Sequence, residues 1–165
     1  MNKIRIIGDI DEDVFLEFCE RMDELESESS EAEDVEITLN SIGGNALDAV
    51  AIASRIRLSP LPVNVTVYGV AASAAVLILA ACDKRRMTSE SWVMVHEDAH
   101  TVKNISTSKI EQEARIARAM EDQWSSLLSE LTGTSKEVWL EHHKNGDLWL
   151  SPVECVKLGL VDEVI

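Results

Sequence analysis

Three residues of the sequence have the types that serine hydrolases use for catalysis. Ser73 ends the glycine-led segment GVAAS, His96 ends an apolar run that alternates like a strand, and Asp147 follows an Asn-Gly turn signal. A serine hydroxyl becomes a nucleophile when a histidine accepts its proton and a carboxylate orients the imidazole. Each residue alone also fits an ordinary role, since a serine among alanines usually packs in a helix and Asn-Gly-Asp usually forms a turn. The triad is therefore a hypothesis whose support comes from the rest of the chain.

Two glycine-containing corners, residues 40–44 (NSIGG) and residues 69–73 (GVAAS), each join a predicted strand to a predicted helix. The first N–H groups of a helix have no partner within the helix, so such a corner can bind an oxyanion. A Gly-Gly pair also often serves only to turn the chain. Ser73, at the second corner, would have its hydroxyl beside such N–H groups, as acyl transfer requires.

A rival site begins at the same histidine. Residues 96–100 read HEDAH and fit the H-E-x-x-H pattern of zinc peptidases. That pattern requires a helix, because two imidazoles must face one metal ion from positions i and i+4. The β-branched residues on both sides favour a strand, and a third ligand would have to be Glu111 or Glu113. We keep the zinc peptidase as the less favoured alternative and expect neither a metal nor another cofactor.

The segments that would position these residues alternate between strand-like and helix-like patterns, which predicts an α/β fold. The predicted strands cover residues 4–7, 35–41, 63–68, 86–88 and 92–95. The predicted helices cover residues 14–25, 43–59, 71–82, 106–131 and 136–143, with a last one between Ser151 and Gly159. The helix at 106–131 repeats apolar residues at every third or fourth position. Trp149 is expected to pack beside the Asp147 turn.

Composition limits the class of protein. The 165 residues are enough for one domain with its own core, and 45% of them are hydrophobic. The formal net charge of −15 argues against nucleic-acid binding, because phosphate groups would repel the protein. The three cysteines lack a CxxC pair, which is typical of free thiols in a reducing compartment. No segment has the length of a membrane span or the pattern of a signal peptide, so we expect a cytoplasmic protein without a membrane partner.

Taken together, four segments resemble the proteolytic subunit of the Clp protease, ClpP, and the resemblance extends from about Ile4 to Ile165. Each segment alone is a weak signal, but their order and approximate spacing match those of the family. The four segments are LNSIGG (39–44), GVAASAA (69–75), VMVH (93–96) and DLWLSPVECVKLGLVDEVI (147–165).

The resemblance implies a role for each candidate residue. Ser73 corresponds to the nucleophile, His96 to the general base and Asp147 to the carboxylate that orients it. The backbone N–H groups of Gly44 and Ala74 correspond to the family's oxyanion hole. The implied activity is that of a serine endopeptidase that hydrolyses peptides or unfolded proteins.

The resemblance also implies a fold and an assembly. The expected fold is a single ClpP-like domain over residues 1–165, a crotonase-like ββα superhelix with a protruding handle at about residues 97–131. In the family, such handles join two stacked heptameric rings into a barrel, so we expect a homo-oligomer. The apolar face of the helix at 106–131 would need such a partner in order to be buried.

Several positions depart from the family pattern. Ile42 stands where the family usually has proline and Ala74 where it has methionine, but both positions contribute mainly backbone. Residues 97–104 contain no glycine, unlike the family's substrate-pairing strand. The chain begins almost at its first predicted strand, so we expect a weak or absent partnership with an AAA+ ATPase unfoldase. Such departures are typical of a divergent or phage-encoded member.

Two further interpretations come from the same superfamily. A ring subunit can carry a triad and yet be inactive, which makes a non-catalytic ClpP-like subunit the main alternative. The acyl-CoA enzymes of the superfamily use two oxyanion corners without a triad. Ser73, His96 and Asp147 at the matched positions argue against that second interpretation.

Overall fold

The computed structural model describes residues 2–28, 33–96, 106–144 and 146–165, and its strands and helices alternate, which confirms the predicted α/β class. The strands are Asn2–Ile10 (β1), Val35–Gly44 (β2), Val63–Ala72 (β3), Lys84–Met87 (β4), Trp92–Val95 (β5), Leu148–Leu150 (β6) and Glu163–Val164 (β7). The helices are Glu12–Glu28 (α1), Ala46–Arg57 (α2), Ala75–Ala81 (α3), Thr107–Thr132 (α4), Lys136–Lys144 (α5) and Pro152–Lys157 (α6). None of these described helices combines the length and the apolar composition that crossing a bilayer requires.

The residues group into two compact units. The first unit consists of Met1–Met94 together with Trp149–Ile165, and the second of Val95–Leu148. The first unit contains most of the sheet with helices α1, α2, α3 and α6, whereas the second contains α4 and α5. The single ClpP-like domain over residues 1–165 and its handle at about 97–131 stay predictions.

The first unit is built around a parallel sheet in which β3 is the central strand. β1 pairs with β2, and β2 pairs with β3. β3 has different neighbours along its length, because residues 64–67 pair with β4 and residues 70–72 pair with β5. β7 pairs with β4, and β6 pairs with β5. The second half of β3 therefore continues past β4, and its last residue leads directly to Ser73.

Apolar residues at alternate strand positions and on one face of each helix form the core of the first unit. In β2, Val35, Ile37 and Leu39 are fully buried, and Glu36 and Thr38 between them are half-buried. Helix α1 contacts β1, and α3 contacts β2 and β3 with all seven of its residues buried. Burial contributes roughly 1.5–3 kcal/mol for each large apolar side chain, so this packing is the main stabilising interaction.

In the second unit, α4 confirms the long amphipathic helix, since it begins and ends one residue later than predicted. The helix ends at Gly133, whose φ of 74° is in the left-handed region that glycine adopts at helix C-termini. The following α5 packs against it through Trp139, which is fully buried. The indole N–H of Trp139 donates to the Thr132 hydroxyl at 3.3 Å, so this large side chain buries no unpaired donor.

Several local predictions were wrong or incomplete. The helix predicted for residues 43–59 covers only Ala46–Arg57, because residues 43–44 belong to β2. The helix predicted for residues 71–82 begins only at Ala75, because residues 71–72 belong to β3 and pair with β5. Alanine favours helices, but this preference is weak and pairing with a neighbouring strand overrides it. Strands β6 and β7 have three and two residues, which is too short for a periodic pattern to reveal. Trp149, expected to pack, is 51% exposed.

An ion-pair cluster connects α1 to α2. The Arg55 guanidinium donates to both carboxylate oxygens of Glu26 and to Asp23, each at 2.8 Å. The side chains of Arg55 and Glu26 are 21% and 22% exposed, so solvent screens this pair less than the exposed pair of Arg21 with Glu24. The hydrogen bonds from Arg55 hold the pKa of Glu26 below its usual value.

The lowered pKa of Glu26 predicts a pH-dependent contribution to stability. Because the pKa is lower in the folded state than the unfolded value of about 4.3, the contribution is present above that pH and is lost as the pH falls through the folded-state pKa. We expect Glu26→Gln to lower the free energy of unfolding by about 1 kcal/mol at pH 7. Urea unfolding, followed by tryptophan fluorescence, should show this loss shrinking below about pH 4.

The matched control is Glu24→Gln, which changes the exposed pair and should alter the free energy of unfolding little at either pH. A loss for Glu26→Gln that is equally large at neutral and acidic pH would contradict the prediction.

Candidate active site

Ser73 lies in the short connection between β3 and α3. It is the one described non-glycine residue with a positive φ, at 53°. A left-handed L-residue costs roughly 1–2 kcal/mol, so the surroundings must hold it. Its N–H donates to the Met94 carbonyl at 2.8 Å, and its own carbonyl accepts from the Val76 N–H at 3.0 Å. A strained serine at a strand-to-helix turn is a recurrent way of presenting a nucleophile.

The glycine corner at the end of β2 touches this serine corner. Gly43 has a φ of 99°, and a Cβ added there would lie 2.7 Å from both the Ala72 carbonyl oxygen and the Ser73 Cβ. The same atom would lie 3.0 Å from the backbone nitrogen of Ala74. Only glycine permits so close an approach. The two corners that the sequence singles out therefore meet within the first unit.

Polar side chains replace backbone partners where the strands around these corners become irregular. The regular register of β2 with β3 breaks between Leu39 and Ser41. Three backbone N–H groups near this break donate to side-chain oxygens instead. These hydrogen bonds run from Gly69 N–H to Ser91 Oγ (2.9 Å), from Val70 N–H to Asn40 Oδ1 (3.3 Å) and from Gly43 N–H to Ser41 Oγ (3.0 Å). Sequence reasoning missed these side chains. Ser41 does carry a signal, because it occupies an inward position of β2 where alternation predicts an apolar residue.

His96 and Asp147 flank two short strands. His96 directly follows β5 and is half-buried, and Asp147 directly precedes β6 and is exposed. Both belong to the second unit, whereas Ser73, Gly44 and Ala74 belong to the first. That Ser73, His96 and Asp147 form one catalytic triad stays a prediction.

The zinc alternative falls mostly on residues outside the described part of the chain, since residues 97–100 are not described. Its two suggested further ligands, Glu111 and Glu113, are exposed on α4. Within residues 2–28, 33–96, 106–144 and 146–165, no group of three or more His, Cys, Asp or Glu side chains could hold a metal ion.

Comparison of the sequence with known protein families decides the class of this protein. The model of the Clp protease family matches residues 1–165. The chain belongs to the Clp protease family, and it is a serine peptidase. The family membership confirms the resemblance that the four sequence segments carry.

Relatives and a solved structure agree with this membership. The chain is 29% identical to ATP-dependent Clp protease proteolytic subunit 2 of Treponema denticola, over 98% of this chain and 80% of the relative. It is 32% identical to proteolytic subunit 3 of Synechococcus sp. (strain CC9605), over 86% of this chain and 70% of that relative. A ClpP1 mutant from Listeria monocytogenes matches the fold with a TM-score of 0.88 at 28% identity, covering 99% of this chain and 91% of that one. The predicted ClpP-like fold is thus confirmed.

The close approach at Gly43 generates a testable prediction. Gly43→Ala and Gly133→Ala both introduce a side chain at a positive φ, but the new Cβ meets neighbouring atoms only at Gly43, with nothing within 4 Å at Gly133. We expect Gly133→Ala to lose about 1 kcal/mol of stability with unchanged peptidase activity. Gly43→Ala should lose more stability and also about 100-fold in activity, because it displaces the Ser73 corner.

Urea unfolding and the hydrolysis of a short fluorogenic peptide measure the two effects. Equal losses of activity in the two variants would show that contact between the corners is unimportant for the reaction.

Proposed function

We propose that this member of the Clp protease family is a serine endopeptidase in which Ser73 is the nucleophile, His96 the general base and Asp147 the orienting carboxylate. The observation that carries the proposal is the strained Ser73 turn, where the serine corner meets the glycine corner. A left-handed backbone destabilises the fold and has no benefit for a serine that only packs. For a nucleophile, the same conformation exposes the hydroxyl to substrate at the end of a strand. The substrates would be peptides or unfolded protein segments, which suits a protease family.

Short backbone connections support the choice of base and carboxylate. The Ser73 N–H donates to the Met94 carbonyl at 2.8 Å, and His96 is two residues beyond Met94 in the chain. The segment VMVH (93–96), which resembles the family's motif, supports His96 as the base that takes the proton from Ser73. Asp147 directly precedes β6, and β6 pairs with β5, the strand that His96 follows.

We assign the oxyanion hole to the N–H groups of Gly44 and Ala74. The Asn45 N–H donates to the Ile10 carbonyl of β1 at 2.7 Å. Gly44 immediately precedes Asn45 and ends β2 at the glycine corner that touches Ser73. Ala74 immediately precedes α3, so its N–H has no acceptor within that helix. Both donors therefore belong to the corners that flank Ser73.

The proposed reaction is acyl transfer in two steps. The Ser73 Oγ forms a bond to the peptide carbonyl carbon while its proton passes to His96, and the negative oxygen accepts hydrogen bonds from Gly44 and Ala74. The C–N bond then breaks as His96 gives the proton to the leaving amine. Water attacks the resulting ester with His96 again as the base, and the return of a proton to Ser73 releases the acid. Asp147 holds the imidazole in the required tautomer and stabilises its protonated form.

Cys82 and Cys155 do not compete with Ser73 as nucleophiles. All three cysteines are free, and Cys82 and Cys155 are buried. Burial raises the pKa of Cys155 to about 12 and also raises that of Cys82, so neither is a thiolate at neutral pH. Free thiols persist in a reducing compartment, and we accordingly assign the protein to the cytoplasm.

Covalent labelling tests the triad. An active-site-directed serine phosphonate should add its mass to the peptide that contains Ser73, and Ser73→Ala should take up no label. Asp147→Asn should slow labelling at least about 1000-fold, because the imidazole loses its orienting carboxylate. The exposed Ser89 offers a matched control, since Ser89→Ala should label at the wild-type rate.

Two other outcomes would each favour an alternative function. A folded wild type that takes up no label would favour the non-catalytic ring subunit. Peptidase activity that a chelator removes and the phosphonate leaves intact would favour His96 and His100 as zinc ligands.

We further propose that copies of this chain assemble into a homo-oligomer of stacked rings, heptameric as the family resemblance implies, through α4. The relatives are named as proteolytic subunits, which indicates membership of larger particles. Helix α4 has an incompletely buried apolar stripe, with Ile110 50% exposed and Ala114, Ala117, Met120 and Trp124 half-buried. A second copy of the helix would remove this stripe from water.

A charge placed on the stripe tests the assembly. Ile110→Glu should lower the mass measured by light scattering at a fixed protein concentration, because an unpaired carboxylate would be buried between copies. The matched control is Ala119→Glu, since Ala119 is exposed on the same helix and lies at least about 100° around it from every residue of the stripe. A wild type that is monomeric, or equal effects of the two changes, would contradict the proposed interface.

A further inference from the structure

A buried serine that the proposed triad does not use lies next to the glycine corner. Ser41 is 1% exposed and occupies an inward position of β2. Its hydroxyl donates to the Gly8 carbonyl at 2.6 Å and accepts from the Gly43 N–H at 3.0 Å. One oxygen atom therefore connects β1 to the backbone that touches Ser73.

This bridge stands where both neighbouring ladders are irregular. The register of β1 with β2 shifts between Ile7 and Asp9, around Gly8, whose φ is 86°. The register of β2 with β3 shifts just before Ser41. Backbone groups at such shifts lose their regular partners, and a buried group without a partner is costly. The Ser41 hydroxyl supplies a partner to one carbonyl and one N–H at this point.

The same bond restrains the backbone that leads to the proposed oxyanion donor. Gly43 and Gly44 have φ values of 99° and 149°, and glycine at such angles has many alternative conformations of similar energy. With the Gly43 N–H bound to Ser41, the orientation of the peptide before Gly43 is set. The Gly44 N–H follows one residue later, so its direction depends on that orientation.

We propose that Ser41 is a positioning residue whose hydroxyl holds the Gly43–Gly44 backbone in the orientation that lets the Gly44 N–H stabilise the oxyanion. This inference rests on the proposed function of Ser73. Ser41 touches neither substrate nor the reacting atoms in this mechanism. An oxyanion donor binds the transition state more strongly than the ground state, so loss of its alignment lowers kcat and leaves KM nearly unchanged.

The test compares variants of the full chain on a short fluorogenic peptide and on a peptide boronic acid. Ser41→Ala should lower kcat about 10- to 100-fold with KM within about twofold. The boronic acid forms a tetrahedral adduct with the nucleophile, so its inhibition constant should rise by about the factor by which kcat/KM falls. Ser41→Thr keeps the hydroxyl and should recover most of kcat.

The matched control is Thr66→Val, which removes another buried hydroxyl from the same sheet. Thr66 is 4% exposed and donates to Glu36 at 2.8 Å, and it lies in the half of β3 that pairs with β4, away from the two corners. Its loss should lower the unfolding midpoint while kcat stays at the wild-type value. This comparison separates loss of a buried hydrogen bond from loss of alignment.

The proposal is overturned if Ser41→Ala keeps the wild-type kcat, or if Ser41→Ala and Thr66→Val lower kcat equally. Should Ser41→Ala fail to fold, Ser41→Cys preserves the volume with a weaker hydrogen-bonding group, and a wild-type kcat in that variant overturns the proposal as well. A wild type that does not react with the phosphonate would instead overturn the proposed function, and with it the role of Ser41. The two failures are thereby distinguishable.

Discussion

The pairing of the second half of β3 with β5 is the interaction on which the geometry of the serine corner depends. Beyond the last residue that pairs with β4, β3 continues as a strand because residues 70–72 pair with β5, while Ala71 also pairs with Ser41 of β2. The ladder ends with the bond from the Ser73 N–H to the Met94 carbonyl at 2.8 Å. A left-handed serine persists only where the surroundings over-determine it, and here a strand precedes it and a fully buried helix follows.

The close approach of the two corners has a consequence for hydrogen bonding. Strands that bend towards each other leave their regular register, and the N–H and carbonyl groups at these points need other partners. Buried serines supply them. Ser91 is fully buried, accepts from the Gly69 N–H at 2.9 Å and donates to the Val67 carbonyl at 3.1 Å. Ser41 does the same between Gly8 and Gly43. Rigid bridges of this kind suit a site that must be organised before substrate arrives.

Two departures from the family pattern fall on the same corners and have different surroundings. Ile42, which replaces the family's usual proline, is 67% exposed, so its side chain leaves the core undisturbed. Ala74, which replaces the usual methionine, is 2% exposed at the start of the buried helix α3. In the proposed mechanism the second position acts through its backbone N–H, which any residue except proline provides. Both substitutions are therefore compatible with the chemistry proposed for Ser73.

By itself, the sequence determined the α/β class, the long helix α4, the strand β5 and the membership of the Clp protease family, because periodicity and motif order are properties of the chain alone. It also singled out the residues of the proposed triad. Only the tertiary structure decided that β3 runs on to Ala72, that Gly43 touches Ser73 and that Ser41 bridges two strands. Each of these depends on a partner at least 22 residues away in the sequence, since Ala72 pairs with Met94, Gly43 touches Ser73 and Ser41 donates to Gly8. Local propensity carries no information about such partners, because strand pairing and close packing are decided by what the rest of the chain brings alongside.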